Sequence, residues 1–159
     1  MRAAGIRAPL VVDAAGWGRN VEQLLAAAPR LVQQDPQTDV LFSWHAWDTE
    51  GDQTQRATEA LELAAKGEIP LIIGEFSGTG GLQREIPYQH LLAETKRLGI
   101  GWLAWSWGPG NCDCADMDMK PDGRYETLHG WGLEVAVTDE NSIANTAIRS
   151  RSIVEGSYP

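Results

Sequence analysis

Short, near-continuous apolar runs alternate along the chain with longer segments whose apolar residues recur at helical spacing. The runs "PLVVD", "DVLFSWHAW", "IPLIIGEF" and "IGWLAWSW" are bounded by Gly, Pro or Asp and predict four strands. Between them, "NVEQLLAAAPRLVQQD", "TQRATEALELAAKG" and "REIPYQHLLAETKRLG" carry apolar residues three and four apart and predict helices. Asn20 is placed to cap the first helix and Pro29 to kink or break it, while Gly67 and Gly99 stop the second and third. Residues 108–125, rich in Gly, Asp and Pro, predict a loop. Beyond it, "ETLHGWGLEVAV" predicts a last helix, "SIANTAIRS" a short helical turn, and "RSIV" an extended tail packed back on the rest.

This is β-α four times over. Strands that are apolar on both faces belong to a parallel sheet covered by helices. Two α/β architectures fit, a doubly wound open sheet and part of a (β/α)8 barrel. A full barrel takes about 250 residues, and this chain of 159 has room for half of one. The strand ends carry Asp13, His45, Trp47, Glu75, Trp105 and Trp107, each just before a connecting loop. Side chains alternate with period two. Leu41, Ser43, His45 and Trp47 therefore share one face, Leu71, Ile73 and Glu75 another, and Gly101, Leu103, Trp105 and Trp107 a third. If these faces point inward, His45, Glu75 and Trp105 converge at one mouth, where barrel enzymes keep their chemistry. "GTGGL" lacks dinucleotide-binding spacing and reads as a flexible loop.

Composition narrows the partners. A net charge of −9 argues against nucleic acid and anionic membranes, and leaves a neutral polysaccharide open. No apolar run approaches the ~20 residues of a membrane span, and "MRAAGIRAPL" has no signal-peptide pattern. Seven Trp supply either a Trp-rich core or stacking platforms for a flat, hydroxylated ligand. Cys112 and Cys114 are spaced poorly for a mutual disulfide and too few for zinc, which predicts two free thiols in a loop. The acidic run "CDCADMD" offers carboxylates for calcium, but reads first as a solvated loop. No cofactor or metal is expected.

Glu75 is the sharpest signal. A carboxylate that closes an apolar strand is neutralised, paired or used. The plain alternatives are a buried Glu paired with a basic residue, a satisfied core histidine at His45, and core packing for Trp105 and Trp17.

The four segments "VVDAAGWG", "LFSWHAW", "LIIGEFSG" and "GWLAWSWGPGN", with "LHGWGLEVAV" after them, resemble glycoside hydrolase family 5. The bacterial endo-β-1,4-mannanases of that family are the most similar. The segments occur in the family's order and match strands five to eight of its (β/α)8 barrel and the final helix. The resemblance implies one partial catalytic domain over residues 1–159, the C-terminal half-barrel, acting on a β-1,4-linked neutral poly- or oligosaccharide. It implies a retaining hydrolase with Glu75 as catalytic nucleophile, His45 helping to hold nucleophile and sugar, and Trp105 as the sugar platform. Trp107 is its neighbour, and Trp17, in the first loop, is expected either to line a subsite or to pack. The family usually has Tyr two residues after that histidine. Here the position is Trp47, whose indole donates a hydrogen bond but accepts none. The family's general acid, a Glu following Asn on strand four, has no match here. The N-terminal half of the barrel is therefore an expected partner, the isolated chain is expected to be inactive, and the full-length parent is expected to be secreted. The competing readings are a non-catalytic carbohydrate-binding or scaffold half-barrel and, disfavoured for want of a Gly-rich helix N-terminus, a phosphate-binding half-barrel that dimerises.

Overall fold

A computed structural model describes residues 1–47, 52–80, 85–110 and 114–149. Four strands form one parallel sheet in the order β1-β2-β3-β4: β1 (Leu10–Asp13), β2 (Val40–His45), β3 (Leu71–Glu75) and β4 (Gly101–Trp102). Sequence order equals spatial order, with no reversal. A doubly wound sheet reverses at a switch point, and these four strands show no such reversal.

Helices α1 (Val21–Gln34), α2 (Gln53–Lys66) and α3 (Tyr88–Leu98) make the connections. In α1 the Asn20 side chain accepts from Gln23 N–H at 3.0 Å, and Val21, Leu24, Leu25 and Ala28 form the buried stripe. Asp52 caps α2 in the same way through Gln55 N–H, and its stripe is Ala57, Ala60, Leu61 and Ala64. Gly99, at φ +69°, ends α3 in the left-handed conformation. These stripes meet Phe42, Trp44, Leu71 and Ile73 on one face of the sheet. The other face is open: Val11 and Leu103 are 59% and 58% exposed. Among the described residues no helix is long and apolar enough to cross a membrane.

Several expectations need correction. Pro29 does not break α1. It sits at an exposed position, and Leu31 and Val32 beyond it pack on the core and carry the helix to Gln34. β2 ends at His45, so Trp47 lies past the strand. β4 is two residues long, although Leu103 N–H still bonds Ile73 C=O at 2.9 Å and Trp105 N–H bonds Phe76 C=O at 2.7 Å. The predicted last helix is a composite. A 3-10 turn at Tyr125–Thr127 precedes α4 (Gly130–Leu133), which opens into a π-turn over Glu134–Thr138, before a short α5 (Ile143–Thr146). The loop of residues 108–125 contains a further 3-10 turn, Ala115–Met117. The tail "RSIV", Cys112, and Gly81 and Leu82 of "GTGGL" lie outside the described residues.

The facing of β3 also differs. Leu71 and Ile73 are buried under the helices, not turned inward with Glu75. The pairing runs Trp44 to Ile73 and then His45 to Glu75, so Gly74 is an extra, unpaired residue. A bulge of this kind re-aims the next side chain, and it brings Glu75 round to the open face. Only glycine fits there, because a Cβ on residue 74 would lie 2.1 Å from Ser43 Oγ.

Candidate active site

The C-terminal ends of β1, β2 and β3 bring Asp13, His45 and Glu75 together. Asp13 pairs with Ser43 in register, and His45 stands two residues further along β2 on the same open face. The His45 ring is gripped by backbone on both sides. A Cβ on Gly18 would lie 2.3 Å from its Cγ and Nδ1, and one on Gly74 would lie 3.2 Å from its Nε2. Gly18 also has φ +81°, which itself favours glycine, and its carbonyl accepts His45 N–H at 2.7 Å.

Glu75 is half-buried. Trp47 Nε1 donates to its Oε2 at 2.8 Å, and His45 Nδ1 lies 3.2 Å from the same oxygen. Oε1 takes no partner among the described residues. His45 Nε2 in turn lies 3.4 Å from Asp13 Oδ1. One imidazole therefore stands between two carboxylates, and one carboxylate oxygen collects two nitrogens.

The indoles divide. Trp44 lies in the hydrophobic core and Trp102 packs against it, edge-on to Phe76 at 5.5 Å. Trp105, Trp107 and Trp17 are exposed, Trp17 at 92%, on the loops that follow β4 and β1. Core packing is thus excluded for Trp17. Behind Trp107 lies the ammonium of Lys120, 3.9 Å from the ring centroid and fully buried. The loop after Glu75 is tied down from the C-terminal side: Thr79 Oγ1 donates to Asp116 Oδ2 at 2.7 Å and Trp131 Nε1 to the Asp116 carbonyl at 3.1 Å. Gly78 lies on Trp131, and Tyr88 packs edge-on to the same indole while its hydroxyl donates to Glu134 at 2.6 Å. Burial first, then the Glu134 carboxylate, raises the Tyr88 phenol above its ordinary range, so it stays a donor.

The structure brings His45, Trp47 and Glu75 into contact. Trp105 is tied by its backbone to Phe76, next to Glu75, and Trp107 and Trp17 stand exposed on neighbouring loops. Sequence reasoning marked Asp13 only as a strand end, and did not single out Gly18, Gly74, Lys120 or Trp131. The Gly before Glu75 in "LIIGEF" was a bulge signal. The others depend on contacts far apart in sequence. Among the described residues no group of three His, Cys, Asp or Glu is arranged to hold a metal.

The family profile for cellulase (glycosyl hydrolase family 5) matches residues 1–111. A mannan endo-1,4-beta-mannosidase of Salipaludibacillus agaradhaerens is 28% identical over 135 residues, 85% of this chain and 44% of that protein. Another, from Cellvibrio japonicus, is 28% identical over 158 residues, 99% of this chain and 36% of that protein. A solved mannotriose complex of Thermomonospora fusca β-mannanase superposes with a TM-score of 0.82 at 31% identity, covering 92% of this chain and 47% of that one. The β-mannanase from Streptomyces thermolilacinus gives 0.82 at 32% identity, covering 94% and 49%. The chain spans less than half the length of each of these relatives, and its parallel α/β fold is similar to that of the mannanase barrels.

Proposed function

The chain belongs to glycosyl hydrolase family 5, and from that premise we propose that it is the C-terminal half of a barrel that hydrolyses β-1,4-linked mannan, carrying the nucleophile of a two-carboxylate retaining site. Its strands are then strands five to eight, and residues 1–159 are one partial catalytic domain. What supports the reading is the Glu75 carboxylate at the open mouth, with the Trp47 N–H and His45 Nδ1 both on Oε2.

Oε1, the uncommitted oxygen, attacks the anomeric carbon as the glycosidic oxygen departs, and a covalent glycosyl-enzyme forms. Water then opens that ester with overall retention. The Trp47 donor stabilises the carboxylate as it is released. Trp47 serves here in place of the usual Tyr because only donation is required of it. The proton for the leaving oxygen comes from a second carboxyl, about 5–5.5 Å from the first in retaining enzymes, supplied by the four upstream βα units. Those units also cover Val11 and Leu103 on the open face. Trp105 stacks under the sugar at the cleavage point, with Trp107 and Trp17 on either side of it. Polymeric mannan does not cross a membrane, so the parent acts outside the cell.

Completing the barrel with an upstream half, fused or co-expressed, is expected to release reducing ends from β-1,4-mannan, and Glu75→Ala is expected to abolish the release. The chain alone releases none from mannan or cellulose, because protonation by a positioned acid is worth about 10²–10⁴-fold. An activated aryl 2-fluoro-glycoside departs without that proton, so slow labelling of Glu75 is expected, located by peptide mass spectrometry. Hydrolysis that survives Glu75→Ala overturns the nucleophile. Ordinary rates from the chain alone overturn the missing acid. Sugar binding with neither label nor turnover favours the non-catalytic scaffold.

A further inference from the structure

His45 meets Glu75 through one ring nitrogen, and its other nitrogen is not left to solvent. The backbone of Gly18 and Gly74 packs against the ring and confines it. Packing alone does not choose between the two orientations related by a half-turn about the bond that carries the ring, because both fill the same space. A half-turn would exchange Nδ1 with Cδ2 and turn a C–H toward Glu75. Asp13 acts on this freedom. Its carboxylate, at the end of β1, lies 3.4 Å from Nε2, opposite the 3.2 Å approach of Nδ1 to Glu75. With an anion at each end, the orientation that presents both nitrogens is favoured over the one that presents both carbons. The outer partner of a functional histidine generally orients the ring in this way. Orienting it does not need Asp13 to touch a substrate.

We propose that Asp13 is the positioning residue of this site: by holding Nε2 of His45 it fixes Nδ1 against Glu75. The turn of residues 13–18 thus works as a clamp, with Asp13 at the ring's edge and Gly18 on its face. The arrangement stands on the geometry alone, and only its effect on turnover rests on the glycosidase reading above.

The first test needs no activity. The chain has three histidines, His45, His90 and His129. His90 Nε2 lies 2.8 Å from Thr58 Oγ1, between α2 and α3 beneath the sheet, and serves as an internal reference. In spectra of the ¹⁵N-histidine-labelled chain, the isosteric Asp13→Asn is expected to move both His45 ring nitrogens and to leave those of His90 in place. Asp13 is exposed, so this change does not threaten the core. His45 nitrogens that stay where they were overturn the proposal. The second test uses the completed hydrolase. Asp13→Asn is expected to lower kcat about tenfold at unchanged KM, in the range seen for groups that orient a ligating histidine. It should add nothing in a His45→Ala background, because the two act as one unit. A fully additive effect, or a rise in KM alone, overturns the proposal and makes Asp13 a sugar contact. A completed barrel with no activity at all refutes the mannanase reading, while the spectra still decide on Asp13.

Discussion

The two ends of the sheet are built on opposite terms. At the N-terminal end, Arg2 grips Asp35 through two parallel hydrogen bonds of 2.7 and 2.8 Å. Asp35 also accepts Asp39 N–H at 3.0 Å, and Arg2 donates its remaining protons to the carbonyls of Ile6, Ala8 and Asp39. This ties the chain start and the α1–β2 corner together, with each charge answered by a geometry that suits it. At the C-terminal end, two carboxylates share one imidazole, three indoles stand exposed, and a buried ammonium has no hydrogen-bond partner among the described residues. The same strands run between the two. The difference follows the barrel rule that one rim carries stability and the other carries loops and chemistry. On the glycosidase reading, the polar groups at the mouth are retained at some cost to the fold.

The comparison breaks most sharply at Glu75. In the completed hydrolase, Glu75→Ala is expected to cut reducing-end release by at least about 10³-fold, as loss of a covalent nucleophile does. The melting temperature should hold or rise, because a half-buried charge is removed. A large fall in melting temperature with only a few-fold loss of rate would place Glu75 with Asp35, as a structural ion.

Next in size is Gly18→Ala. The substitution meets both a φ of +81° and a Cβ position 2.3 Å from the His45 ring. Backbone strain of this kind costs about 1–3 kcal/mol, and the collision displaces the imidazole from Glu75. Thermal melts should show the loss, and activity should fall further than the melt alone explains. An intact melt and intact kcat would mean that the clamp on His45 is slack.

Much of this was legible in the sequence, and the omissions have physical causes. The four strands, three long helices and strand-end residues follow from periodicity and from Gly and Asn punctuation. Counting by twos placed His45 correctly because β2 is regular. It failed on Leu71 and Ile73 because Gly74 breaks the alternation, and Glu75 arrives at the mouth by the bulge and not by parity. Asp13 could be seen at its strand end, but its role needs the register of β1 against β2. The Arg2–Asp35 pair spans 33 residues with no pattern linking them, and nothing local marks Lys120 as buried.

Acid should sharpen the contrast from the other side. The Asp35 carboxyl is held down to about 2 from an ordinary 3.8, first by the hydrogen bond from Arg2. A depressed folded-state value means that the stabilisation is fully present above about pH 4, and is lost as pH falls from there toward 2. Melting temperature is expected to decline across that window, and Asp35→Asn should start lower and flatten the decline. An unchanged slope in Asp35→Asn would move the acid sensitivity to other carboxylates and leave the N-terminal rim without its main staple.

The smallest expected effect lies at Lys120. Its side chain is fully buried, its Nζ lies 3.9 Å from the Trp107 centroid, and it has no hydrogen-bond partner among the described residues. Asp122, whose carboxyl is lowered first by the Thr127 hydroxyl, feels the Lys120 charge at a distance without bonding it. A desolvated cation on an indole gains about 2 kcal/mol, whereas burying an ammonium costs several. Met has nearly the same length and no charge, so Lys120→Met is expected to raise the melting temperature by a few degrees, while Lys120→Ala lowers it by leaving a cavity. Trp107 would lose the cation behind its ring, and KM for mannan should rise a few-fold while kcat holds. A Lys120→Met chain that melts clearly lower would show the ammonium to be net stabilising. The C-terminal rim would then be as well answered as the Arg2–Asp35 end, and the contrast between the two would narrow to the Asp13, His45 and Glu75 cluster.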